Sequence, residues 1–216
     1  MLRSLSFFCA LVLGTSTAQA AAPRCLAGQY DGGEPKIAAG LQLSPEGRFR
    51  FGMSYGALDE RAEGHWEGDS NKIFLTSDPT NPPRFDLVSQ APASEGEFRI
   101  SLSVPGALSV QFFNAVAVLS DGRTIGSQLG YEDWVITLKP GEKVVSVKFL
   151  LPVFDLESER FTLTTGSASA ARFRFSPNDL GAATFAQEPL TVETGGVLVL
   201  NRHDRKIRFR PKSGGC

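Results

Sequence analysis

An all-β protein is predicted by three features of the sequence. Apolar and polar residues alternate, turn residues recur at intervals of about ten, and no useful helical periodicity follows the first segment. The clearest stretch is GLQLSPEGRFRFGMSYGALDERAEGHWEGDSNKIFLTSDP, Gly40 to Pro79. There Leu41 and Leu43 alternate with polar neighbours, Pro45-Glu46-Gly47 turns the chain, and Phe49, Phe51 and Met53 alternate with Arg48, Arg50 and Ser54 close by. A period of two between turn residues marks antiparallel strands with one face buried.

Taken in order, Leu26 to Tyr30 predicts a short strand that ends at the Asp31-Gly32-Gly33 turn. Ile37 to Leu43, Arg48 to Tyr55, Glu60 to Trp66 and Lys72 to Thr76 follow as four more. The Asp78-Pro79-Thr80-Asn81-Pro82-Pro83 run cannot supply a continuous ladder, because proline has no N–H to donate. Phe85 to Val88 forms another strand, and Ser89 to Gly96, small and polar, is the expected boundary between two units. Beyond it, strands are expected at Phe98 to Leu102, Val110 to Leu119, Trp134 to Leu138, Val145 to Phe149 and Phe161 to Leu163. Phe173 to Phe175, Leu190 to Val192, Val197 to Leu200 and Lys206 to Arg210 complete the set, with Asp121-Gly122 and Pro140-Gly141 as turns. The expected architecture is antiparallel, barrel-like or sandwich: a small N-terminal barrel-like unit over 21–92 and a sandwich unit over 97–216.

The N-terminus adds a compartment. Arg3 precedes an apolar run from Leu5 to Leu13, and Ala18-Gln19-Ala20 places small residues where a signal peptidase reads, so 1–20 is expected to be a secretory signal peptide. The apolar run is too short to cross a bilayer, which takes about twenty residues. A periplasmic or extracellular protein with no transmembrane segment follows as an expectation. Cleavage removes Cys9 and leaves Cys25 and Cys216, expected to pair in an oxidising compartment and tie the two chain ends together. The charge balance of 22 basic against 23 acidic residues becomes 21 against 23 once Arg3 is lost, so no bulk attraction to nucleic acid or anionic membrane is expected.

Gly28-x-Tyr30, Leu41-x-Leu43, Gly47-x-Phe49, Gly64-x-Trp66 and Ile73-x-Leu75 resemble the grammar of small lipocalin-like barrels in bacterial envelope proteins. From Phe98 through Asp121-Gly122 to Phe161 the chain resembles an immunoglobulin-type or carboxypeptidase-regulatory-type sandwich, and as a whole it resembles exported β-proteins of proteobacteria. The resemblance implies a compartment and an architecture, not an activity. Lipocalins carry Gly-x-Trp near the start of the barrel, whereas here it lies on a middle strand.

Few residues suggest catalysis. His65 and His203 are the two histidines, Gly126-Ser127-Gln128-Leu129-Gly130 has its serine misplaced for a nucleophile elbow, and no phosphate loop or dinucleotide fingerprint occurs. No cofactor and no metal site are expected. The charged loop from Tyr55 to Glu67 offers Asp59, Glu60 and Glu63, which would serve a carboxylate-dependent hydrolase of an envelope polysaccharide if they converged across a cleft. The alternative is an exposed hairpin, with Glu63, His65 and Glu67 on the wet side of a strand and Trp66 on the other.

Arg48-Phe49-Arg50-Phe51, Arg172-Phe173-Arg174-Phe175 and Arg208-Phe209-Arg210 each set arginines opposite phenylalanines. If two such strands are neighbours, their arginines form a stripe suited to phosphate, sulfate or carboxylate. The alternative is a solvated face that discourages edge-to-edge aggregation. The expected function is a non-catalytic envelope binder of an unspecified, anionic ligand or partner, with contacts at Arg172, Arg174, Arg208, Arg210, Tyr55, Trp66 and Trp134. A structural subunit of an envelope assembly is the third reading.

Overall fold

The computed structural model describes residues 24–92, 96–106, 108–164 and 170–212; the expected signal peptide and Cys216 lie outside them. The described chain is all-β and builds one closed eight-stranded barrel and two further sheets.

The first five strands are β1 (Gly28–Asp31), β2 (Ile37–Leu43), β3 (Arg48–Tyr55), β4 (Leu58–Gly68) and β5 (Lys72–Ser77). They pair in chain order, each antiparallel to the next. Three strands from the end of the chain complete the barrel: β15 (Glu188–Glu193), β16 (Val197–Arg202) and β17 (Arg205–Pro211). β15 pairs with β5, and β17 closes the circle on β1. The barrel is therefore a simple meander, interrupted once between β5 and β15 by everything else in the chain.

That insertion holds β6 (Arg84–Ala91), β7 (Glu97–Ser103), β8 (Asn114–Leu119), β9 (Thr124–Gln128) and β10 (Trp134–Thr137). It continues with β11 (Val144–Leu151), β12 (Leu156–Glu157), β13 (Phe161–Thr162) and β14 (Ala170–Ser176). One sheet has the order β10-β7-β14-β6; the other runs β12-β11-β8-β9, with β13 also on β11. All pairings are antiparallel save β7 with β14, which run parallel. Their facing sides share a core in which Phe85 stacks on Phe149 at 5.4 Å and approaches Phe175 at 4.8 Å, while Phe149 meets Phe173 edge-on at 4.8 Å.

The strands therefore group otherwise than a cut between 92 and 97 would have them. β6 lies in the sandwich beside β14, and β15 to β17 belong to the barrel. The physical reason is closure: five strands leave two open edges, and the last three strands satisfy both. The expected strand from Val110 to Leu119 also divides. Val110–Phe112 is a 3₁₀ turn capped by the Ser109 side chain, and the strand begins at Asn114.

The barrel interior is filled. Alternation sends Leu41, Leu43, Phe49, Phe51 and Met53 inward, where they meet Leu198, Leu200, Ile207 and Phe209 from the last two strands. Gly64 is an inward position of β4 where the backbone of β5 crosses closely. A Cβ there would lie 2.0 Å from the Thr76 carbonyl oxygen, so only glycine fits.

β4 extends six residues beyond its pairing with β5, and the returning end of the insertion fills that gap. Arg61 pairs in parallel with Ala182; its N–H donates to the Gly181 carbonyl, and its own carbonyl accepts from the Ala183 N–H. The Ser77 hydroxyl donates to the Ala183 carbonyl and accepts from the Phe185 N–H. Phe185 then enters the barrel, 1% exposed, at 5.2 Å from Phe51 and 5.9 Å from Phe49. The inserted unit thus supplies a plug to the unit that carries it.

Candidate functional site

The three Arg-Phe strands do not meet. β3 and β17 are separated in the barrel by β1 and β2, and β14 belongs to the sandwich. No two of them form a stripe. What distinguishes their arginines is whether each has a carboxylate. Arg48 holds Asp78 with two hydrogen bonds, its Nη1 at 2.9 Å from Oδ1. Arg50 stands 3.8 Å from Glu63, and Arg208 lies 3.3 Å from Glu193. Arg210, exposed, lies in register with Asp31 across β1 and β17 but forms no ion pair with it, the Asp31 carboxylate accepting instead from the Gly33 N–H.

Arg172 and Arg174 lack a carboxylate as well, and unlike Arg210 they stand together on one strand. Both are exposed, and neither forms a hydrogen bond or ion pair with any described residue. They sit two apart on the strand between β7 and β6, so both project from the outer face of the sheet. Around them in register are Ser101, Ser103 and Ser89. Asp86, opposite Arg174, turns instead to Arg84 at 3.3 Å, and Arg99 on β7 is held by Glu97 at 2.8 Å. The described part of this face carries four arginines against two carboxylates, and the two central arginines are the uncompensated ones.

The three aromatic candidates differ in exposure. Trp66 is 3% exposed inside the barrel, with its Nε1–H donating to the Ser44 carbonyl at 2.9 Å, and offers no face to a ligand. Trp134 is half-buried against the sandwich core. Tyr55 is exposed, but its ring is covered by Arg205 at 4.8 Å and its hydroxyl accepts from the same guanidinium at 3.1 Å.

The acids proposed for hydrolysis fan apart. Asp59 and Glu63 project outward, whereas Glu60 turns into the barrel mouth on the side of β4 that also bears Trp66. Glu60 accepts two hydrogen bonds from Arg202, at 2.6 and 2.7 Å, and lies 3.1 Å from His203 Nε2. Burial by itself would raise the Glu60 pKa; hydrogen bonding and charge from Arg202, aided by His203, outweigh it and hold the carboxyl below the ordinary glutamate range. A carboxylate so fixed is a structural anion, not a poised proton carrier. Arg202 also lies over the Phe185 ring at 5.1 Å, which completes the cap of the barrel core. Sequence reasoning had placed Glu60 among the loop acids, although strand parity with Trp66 marks it as inward-facing.

A cleft of about 370 Å³ lies in the neck between barrel and sandwich, where Asp78–Thr80 leaves and 179–183 returns; a larger and more open hollow, about 900 Å³, runs along β2, β3 and the start of β4. The two connecting segments are tied to each other: the Asn81 N–H donates to Asp179 Oδ2, the Asp179 N–H to the Asn81 carbonyl, and Asn178 Nδ2 to the Pro82 carbonyl. Among the described residues no three His, Cys, Asp or Glu side chains gather as a metal site, and no helix is long and apolar enough to cross a membrane.

These features define a meander barrel with a β-sandwich inserted between its fifth and sixth strands. No protein family, curated protein or solved structure matches the chain.

Proposed function

We infer that the chain is an exported, non-catalytic binding protein of the bacterial envelope, which holds an anionic ligand or partner on the outer face of the sandwich sheet at Arg172 and Arg174. The observation that carries this reading is their lack of any compensating carboxylate among the described residues, beside three serine hydroxyls. The Cα atoms of residues two apart on a strand stand about 7 Å from each other, so two arginines so placed can reach successive sulfate, phosphate or carboxylate groups of a polyanion. The side chains packed inside the barrel support a scaffold role for that unit.

Export and a terminal disulfide belong to the same reading. The signal-like first twenty residues support export. A Cys25–Cys216 bridge is supported by the neighbouring strands: Tyr30 pairs with Pro211, and the Lys212 N–H donates to the Gln29 carbonyl, so the two chain ends run side by side. Such a bridge is worth roughly 4–5 kcal/mol in the chain-entropy view.

The test is salt elution of the processed protein from immobilised heparin. The Arg172→Ala/Arg174→Ala double variant should elute at clearly lower salt, whereas Arg208→Ala/Arg210→Ala should shift little. Equal shifts for the two pairs, or no retention of the parent, would refute the assignment.

A further inference from the structure

We propose that the neck cleft is a second, separate binding site, for a small dipolar molecule of dipeptide size that carries one carboxylate and one ammonium group. Its walls are set by backbone bonds. The Asp78 N–H donates to the Glu63 carbonyl, the Arg61 N–H to the Gly181 carbonyl, and Asn81 and Asp179 lock the two connecting segments together. A site framed this way exists before its ligand arrives, which lowers the ordering cost of binding. Junctions between units are also where small-molecule sites concentrate, and about 370 Å³ lies at the small end of their range.

The lining charges decide the ligand class. Two arginines, Arg50 and Arg61, face three carboxylates, Glu63, Asp78 and Asp179. A simple anion would meet the three carboxylates, and a simple cation the two arginines; a dipolar molecule satisfies both. Two of the carboxylates are already engaged, Asp78 by Arg48 and one oxygen of Asp179 by the Asn81 N–H. Arg61 makes no side-chain hydrogen bond or ion pair with a described residue, and Gly52, opposite it on β3, leaves its flank open. Glu63 stands 3.8 Å from Arg50, too far for a hydrogen bond, so it keeps its accepting capacity.

Arg61 and Glu63 are therefore an unlike pair with bonds to give, and they lie two apart on β4, facing the same way. Their backbone separation is about 6.6–6.8 Å from the rise of a strand. Two extended peptide residues span a similar length, about 6.6–7.2 Å, so a dipeptide laid along β4 can present its carboxylate to Arg61 and its ammonium to Glu63.

Isothermal titration with L-alanyl-L-alanine, N-acetyl-alanyl-alanine and alanyl-alanine amide tests the assignment. The dipolar peptide is expected to bind at least about tenfold more tightly than either singly charged form, a factor in keeping with one lost charge-assisted contact. Arg61→Gln and Glu63→Gln, both on exposed side chains, should each weaken it about tenfold by the same reasoning, while Arg172→Ala/Arg174→Ala should leave it unchanged. Equal affinity for the N-acetyl form, undiminished affinity in Arg61→Gln, or no heat from alanyl-alanine at millimolar concentration would overturn the proposal. Heparin retention is read separately, so either site can fail without the other.

Discussion

Phe185→Ala is the perturbation that bears most on how the two units depend on each other. The residue belongs to the returning end of the insertion, yet its ring is 1% exposed within the barrel. It meets Phe51 edge-on at 5.2 Å and Phe49 at 5.9 Å, and the Arg202 guanidinium covers it at 5.1 Å. Truncating a buried phenylalanine costs about 3–5 kcal/mol, the larger figure where the cavity cannot collapse. Collapse is hindered here, because backbone bonds from Arg61 and Ser77 fix the segment that carries the ring. For a chain of this size that loss corresponds to a melting temperature lower by about 6–20 °C. Urea unfolding followed by tryptophan fluorescence reports it, since Trp66 lies in the barrel core and Trp134 at the sandwich core. The Trp66 transition should move to lower urea. A loss under about 1 kcal/mol, the scale of a surface substitution, would refute the plug and with it the dependence of barrel on insertion.

Three further outcomes are expected. Glu60→Gln strands the Arg202 charge at the barrel mouth, where the two side chains are 10% and 19% exposed, and should cost about 3–5 kcal/mol near neutral pH. Because the folded pKa of Glu60 is lowered, the stability linked to it is complete above the ordinary glutamate range and fades as pH falls through the lowered value; an acid-unfolding series should show this limb in the parent and not in the variant. Gly181→Ala combines a left-handed φ of +80° with a Cβ only 2.5 Å from the Asp59 carbonyl oxygen, and should destabilise the neck by about 1–3 kcal/mol in thermal melts. Asp78→Asn, whose partner Arg48 is 41% exposed and therefore screened by solvent, should leave the melting temperature nearly unchanged by the same measurement.

Most of the strands were legible because each buries one face. Ile37 to Leu43 and Arg48 to Tyr55 coincide with β2 and β3, since their alternation is uninterrupted and turn residues bound them. β9, Thr124–Gln128, escaped notice because Ile125 is its only large apolar residue; as an edge strand it borrows its order from β8. The strand grouping was not readable at all. Local periodicity says that β5 and β15 are strands but carries no information on a pairing across more than a hundred residues. The site followed the same division. Outward placement of Arg172 and Arg174 is a matter of parity, whereas their lack of a carboxylate depends on which strands lie beside β14. The neck cleft is wholly tertiary, made where two distant segments pass each other.

Backbone amide shifts of the ¹⁵N-labelled protein, titrated with a heparin oligosaccharide, test the central functional claim most directly. Perturbations should centre on Arg172 and Arg174 and spread to Ser101, Ser103 and Ser89, with Phe51, Leu198 and Phe209 in the barrel interior unmoved. Shifts confined to β17 or to the barrel lumen would contradict it.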